Sequence, residues 1–178
     1  MKVLIVFATR HGHARKLSRF IAERLDGDGH ETRVQDAAER PWPNPANFGA
    51  ALLVGGLHLA RLPARLRRFA RRNREALNAV PSALVCISLA AAGDDPGDRA
   101  GLAQAVGRFA FRTGWHPGAV HHAASAMRFS TYGPLTRWAI ASIARKRGFQ
   151  VEPGKDYDLT DYPALGDFLQ RLMAGAVR

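Results

Sequence analysis

The chain has 178 residues, 47% of them hydrophobic, which is enough for one domain with a sizeable core. No apolar run reaches the roughly 18 residues of a transmembrane helix. No small-residue cleavage site follows the short apolar N-terminus either, so the expected location is the cytoplasm. The single cysteine excludes an internal disulfide and a cysteine metal cluster, and no metal is expected; the net charge of +11 calls for an anionic partner.

In chain order, the apolar run Val3 to Phe7 predicts a strand over 2–7, followed by the polar turn Thr9-Arg10-His11-Gly12-His13. Helical periodicity through Leu17, Phe20, Ile21 and Leu25 predicts a helix over 13–26. Further strands are expected at 31–35, 50–55, 82–89 and 118–124, with helices at 62–78, 98–113 and 161–174. The run Ala50-Ala-Leu-Leu-Val54 lacks polar alternation, as suits a strand buried on both sides. The helix over 62–78 turns Leu62, Leu66, Phe69 and Leu77 inward. Seven arginines fall between Arg61 and Arg74, and those on this helix form its outer face, read as a solvated basic face. Cys86 lies in an apolar run and reads as a buried, inert thiol. The last helix has Thr160, Asp161 and Pro163 around its first turn and Leu165, Phe168, Leu169 and Leu172 on one face.

Strands alternating with helices indicate βαβ units, hence an α/β, doubly wound, five-stranded parallel sheet in a single domain over 1–178. About 127–158 is an insertion between the fifth strand and the last helix. It contains a helix from Gly133 to Arg147, with Leu135, Trp138, Ala139 and Ile143 on one arc and Arg145-Lys146-Arg147 at its end. No carboxylate occurs from Arg99 to Val151. Two readings stand for this helix: it lies on an anionic membrane surface, or it packs on the sheet with a solvated basic end.

In a doubly wound sheet, ligands sit beyond the carboxyl ends of the strands, beside the first strand. The loop Thr9 to His13 stands there ahead of a helix N-terminus, where converging N–H groups and the helix dipole favour an anion. It lacks the Gly-Lys-Ser/Thr ending of a Walker loop and the Gly-x-Gly-x-x-Gly of a dinucleotide site. A receiver's acidic cluster is also missing, since no carboxylate precedes Glu23. A monophosphate held mainly by backbone amides and hydroxyls remains.

Residues 1–25 resemble flavodoxins. Over almost the whole chain the sequence is similar to the menaquinone-dependent protoporphyrinogen IX dehydrogenases, flavodoxin-like enzymes of haem synthesis that use flavin mononucleotide (FMN). The similarity is carried by Met1 to Gly12, Leu53-Val-Gly-Gly56, Val80-Pro-Ser-Ala83, Ser88-Leu89 and Phe109 to Pro117. It continues in the insertion through Met127 to Tyr132, Trp138, Arg145-Lys146-Arg147 and Lys155 to Tyr162. The resemblance implies that Thr9, Arg10, His11, Gly12, His13 and Ala14 wrap the FMN phosphate. It implies that Gly56, Leu57, His58 and Leu59 on one side, and Ser88, Leu89, Ala90 and Ala91 on the other, flank the isoalloxazine. Two departures stand out. Ala14 replaces the hydroxyl residue that usually closes the loop, a loss of about 1.5–3 kcal/mol for one hydrogen bond to a charged group. Neither flanking loop has a Trp or Tyr to stack on the ring. Arg10, His11 and His13 offset the first electrostatically, and FMN binding weaker than usual is expected.

His58 stands as a flavin-edge or substrate contact against an ordinary loop histidine. One of His121 and His122 is expected to point into the interior. Arg128 is expected to meet a substrate carboxylate, and no catalytic base is assignable. The resemblance implies oxidation of a porphyrinogen with electrons passed to a membrane quinone, at the inner face of the cell membrane and against its anionic surface. A flavodoxin-like electron carrier or NAD(P)H–quinone reductase is the alternative. A flavin-free nucleic-acid-binding domain is disfavoured, because few exposed aromatics accompany the arginines and no RRM, KH or zinc motif is present. The oligomeric state is left open, self-association included.

Overall fold

The computed structural model describes all residues except 128, 132, 147–149, 153 and 177–178. Five parallel strands, β1 (Lys2–Ala8), β2 (Glu31–Asp36), β3 (Ala50–Gly56), β4 (Ser82–Ser88) and β5 (Ala119–Ala124), form one sheet in the order β2-β1-β3-β4-β5. The strand order reverses at β1, which places a crevice at the carboxyl ends of β1 and β3.

Successive strand residues point to opposite faces, and the two cores follow that alternation. Val3, Ile5 and Phe7 of β1 join Leu52, Val54, Val85 and Ile87 under α1 (His13–Gly27) and α6 (Tyr162–Ala176). Leu4, Val6, Leu53 and Leu84 face the other way, under α2 (Ala64–Arg72), α3 (Arg74–Ala79) and α4 (Pro96–Thr113). The predicted strand at 50–55 is buried on both sides, as the unbroken apolar run required. Gly55 lets α2 sit directly on the sheet: a Cβ there would come within 2.7 Å of Leu66 Cδ2.

Three expectations need correction. The helix predicted over 62–78 is two helices, because Asn73 interrupts it; its side-chain amide and backbone N–H both donate to the Phe69 carbonyl, at 2.9 and 3.0 Å. Leu62 is buried as expected but precedes the helix. Leu89 belongs to a 3-10 turn (Leu89–Ala92) rather than to the strand. The fifth-strand histidines are not interior: His122 is exposed, and His121 is half-buried with its ring 5.1 Å from that of Phe168.

The insertion has a small core of its own. A two-residue strand, β6 (Ala126–Met127), pairs antiparallel with β7 (Tyr157–Asp158), and between them lies α5 (Pro134–Lys146). Met127, Phe129, Ala141, Ala144 and Val151 are buried together, with Leu89 from the β4–α4 loop packed against them. The inward face of α5 is therefore its alanine face, and Leu135 and Trp138 are 82% and 72% exposed. Of the two readings of this helix, packing on the sheet through Leu135 and Trp138 does not fit their exposure.

Candidate functional site

β1 ends in the crevice at Ala8, and the chain turns through Thr9 to Gly12 into α1. Gly12 has φ +83, a conformation that only glycine adopts cheaply, and it lets the loop turn into the helix within one residue. Its N–H donates to Thr9 Oγ1 at 2.8 Å, which leaves the Thr9 hydroxyl proton to be donated outward. No side chain caps α1 and no acid occupies its own first turn, so none of the helix's own carboxylates offsets its positive end. Arg10 and His11 are exposed at the rim. Ala14 is buried among Phe7, Leu17 and Ile21, so its side chain is part of the core and only its backbone is available to a ligand.

His13 has a different task from its neighbours. Its Nε2 lies 3.1 Å from Thr160 Oγ1, and the Thr160 hydroxyl donates to the Ala124 carbonyl at 3.0 Å. With that proton spent, Nε2 must be the donor to Thr160, which fixes the ring and ties the loop to the segment entering α6. One turn further, Lys16 Nζ is 2.6 Å from Asp158 Oδ2, and the Tyr162 hydroxyl donates to the same oxygen at 2.7 Å. Partial burial pushes the Asp158 carboxyl up, but bonds from Lys16, Tyr162 and Thr160 outweigh it and hold the group below the usual carboxylate range. The same bond to Asp158 raises Lys16. This network was not anticipated from the sequence, although the polar string Asp158 to Asp161 just ahead of a helix carries its signal. Asp161, one of the polar residues around the first turn of α6, caps the helix by accepting from the Ala164 N–H at 2.9 Å.

The flanking loops are built from tight turns. Leu57 N–H donates to the Ile87 carbonyl at 2.7 Å, fastening the β3–α2 loop to β4. His58 and Arg61 exchange two backbone hydrogen bonds of 3.0 Å around Leu59 and Ala60, which have φ of 48° and 55°. Two consecutive left-handed residues that are not glycine mark a strained turn, and it presents the Leu59 side chain to solvent at 84% exposure. His58 is exposed beside it. Across the crevice, Ser88 Oγ accepts from the Ala91 N–H at 3.2 Å, shaping the turn Leu89 to Ala92. A cavity of about 310 Å³ opens beside Leu57, Ala60, Ser88 and Ala90 and continues along α4.

The structure thus gathers Thr9 to His13, Gly56 to Leu59 and Ser88 to Ala91 at one edge of the sheet. Arg128 lies outside the described residues. The FMN expected from the sequence offers a phosphate monoester and a flat apolar ring, and the residues present fit both demands. The loop and helix end supply hydroxyl and dipole, and the two turns supply Leu57, Leu59, Ala90 and Ala91 in place of aromatics.

The comparisons agree with this arrangement. A protoporphyrinogen IX dehydrogenase [quinone] of Escherichia coli is 24% identical over 173 residues, covering 97% of this chain and 94% of that protein. Among solved structures, a short-chain flavodoxin associated with a bacterial microcompartment superposes with a TM-score of 0.61 at 12% identity, covering 99% of each chain. A Fusobacterium nucleatum flavodoxin bound to flavin mononucleotide gives 0.52 at 15% identity, covering 98% of each. The family model described as Flavodoxin domain matches residues 4–152, and with the β2-β1-β3-β4-β5 sheet this makes the chain a member of the flavodoxin family.

Proposed function

We propose that this protein binds FMN and oxidises a porphyrinogen, passing the electrons to a membrane quinone. The observation that carries the reading is the near end-to-end match to a protoporphyrinogen IX dehydrogenase [quinone], insertion included. When bound, the flavin supplies a two-electron acceptor; the protein supplies orientation and field. A net charge of +11 favours the anionic reduced flavin and raises its potential, as an electron acceptor needs. Arg128 remains the residue proposed to pair with a propionate. No described helix is long and apolar enough to cross a membrane. The proposed membrane contact therefore uses the exposed Leu135 and Trp138 of α5 with the basic charge near its end, at the inner face of the cell membrane.

Anaerobic addition of protoporphyrinogen IX to the FMN-loaded protein tests this. Loss of the visible flavin band with formation of protoporphyrin is the expected result. An unchanged flavin spectrum overturns the reading, and bleaching by NADPH in its place assigns the protein to the quinone reductases.

A further inference from the structure

The cavity beside the flanking loops does not end with them. It continues along one stripe of α4, past Gly97 and Gly101 to Gln104 and Arg108, and no residue of the β1–α1 loop lines it. It is therefore a space separate from the phosphate cradle, sharing with the ring-flanking turns only Leu57, Ala60, Ser88 and Ala90. Two glycines one helical turn apart strip the helix face of side chains. A Cβ built on Gly101 meets nothing within 4 Å, so the groove exists because that side chain is missing.

The two ends of the groove differ in charge. Asp98 lines it near the helix start, where an anion is repelled, while Arg108 and Gln104 line it further down. Ten residues of helix separate the two charges, about 15 Å at 1.5 Å per residue. Helical side chains lean towards the N-terminus, which aims Arg108 back along the groove towards the site. Arg108 makes no ion pair among the described residues, and the chain from Arg99 to Val151 holds no carboxylate that could become its partner. A cavity of about 310 Å³ lies at the small end of ligand pockets, which run from ~300 to 1,000 Å³, and takes one edge of a tetrapyrrole rather than all of it.

Resting on the function proposed above, we infer that this groove receives a propionate-bearing edge of the porphyrinogen, with Arg108 and Gln104 binding the carboxylate and the glycine stripe admitting the pyrrole. Arg108 is a substrate-binding residue in this assignment, and the apolar lining from Leu57, Ala60, Ala90 and Leu102 covers the ring.

Binding of protoporphyrin IX and of its dimethyl ester to the FMN-loaded protein, followed by porphyrin fluorescence in dilute detergent, tests the assignment. Arg108→Ala is expected to weaken the free acid about tenfold and the ester less than about twofold, because only the acid presents a charged partner. Gly101→Leu is expected to abolish binding of both; it fills open space on a helix and exchanges a poor helix former for a good one, so the fold is retained. Arg33→Ala, on the far edge strand, serves as the charge control and leaves both affinities unchanged. If the wild type binds porphyrin and Arg108→Ala matches it for both probes, or Gly101→Leu still binds, the groove assignment falls while the proposed function stands. If the wild type binds neither porphyrin, both fall together.

Discussion

The β1–α1 loop and the insertion meet at the first turn of α1, but they are held by different physics. The loop is seated on fully buried side chains, Ile5, Leu17 and Ile21 among them, that belong to the main core. The insertion carries its own small core around Phe129, and its end is tied to α1 by polar bonds: Lys16 to Asp158, and, just beyond it, His13 to Thr160. A ligand cradle needs a backbone that does not move, and core packing provides it. A segment with a small core, attached by a few polar bonds and the packing of Leu89, opens at lower free energy than the sheet beneath it.

Substitutions in the two cores would break this contrast most directly. Phe129→Ala is expected to cost about 3–5 kcal/mol, yet hydrogen exchange should speed up only across 126–158. Leu17→Ala is expected to cost about 2–5 kcal/mol and to lower the melting temperature of the whole protein. If both variants melt as one unit, the insertion is not a separate cooperative element. A smaller effect is expected at Gly12, where φ +83 makes Gly12→Val cost about 1–2 kcal/mol of backbone strain. Its more telling consequence is weaker FMN binding, by at least about tenfold in a flavin titration. Arg10→Ala, exposed at the rim, should change affinity only about twofold.

The polar attachment has its own test. Asp158→Asn removes a charged acceptor shared by Lys16 and Tyr162, for about 1 kcal/mol after allowance for its partial exposure, and should increase proteolysis between Ala126 and Asp158. Its pH dependence follows from the sign of each shift. The Asp158 carboxyl is held below its ordinary value of 3.8, so its contribution is present above that pH and drains away as pH falls further. Lys16 is held above 10.5, so its contribution is full below that value and disappears as pH rises through the folded-state pKa. Exchange rates of 126–158 measured across pH should rise at both extremes, and the acid limb should vanish in Asp158→Asn. The smallest effect is expected at Ala60, where φ 55° favours glycine: Ala60→Gly should stabilise the protein by a few tenths to about 1 kcal/mol in denaturant melts.

Much of the architecture could be read along the chain because it rests on local pattern. The apolar runs at 3–7, 50–54 and 83–87 have no polar face to show solvent, which admits only strands covered on both sides. The β1–α1 loop was likewise readable, since a strand, a short polar loop with glycine and a helix start are contiguous. The break at Asn73 was harder, because the apolar spacing of Leu66, Phe69 and Leu77 runs straight across it. The sequence left the orientation of α5 open between two readings for a related reason. Leu135 and Trp138 are its most hydrophobic residues, but the satellite core is too small for them and takes Ala141 and Ala144 instead.

By itself the sequence determined the parallel sheet, the polar loop between β1 and α1 and the excess of positive charge, all of which depend on residues near one another in the chain. Tertiary structure alone decided that His13 and Lys16 serve the C-terminal segment, that Ala14 belongs to the core, and that a glycine stripe with Arg108 opens beside the flanking turns. The physical reason is distance along the chain. The partners of His13 and Lys16 are 147 and 142 residues away, and no local periodicity encodes a hydrogen bond formed only when the last helix returns to lie beside the first.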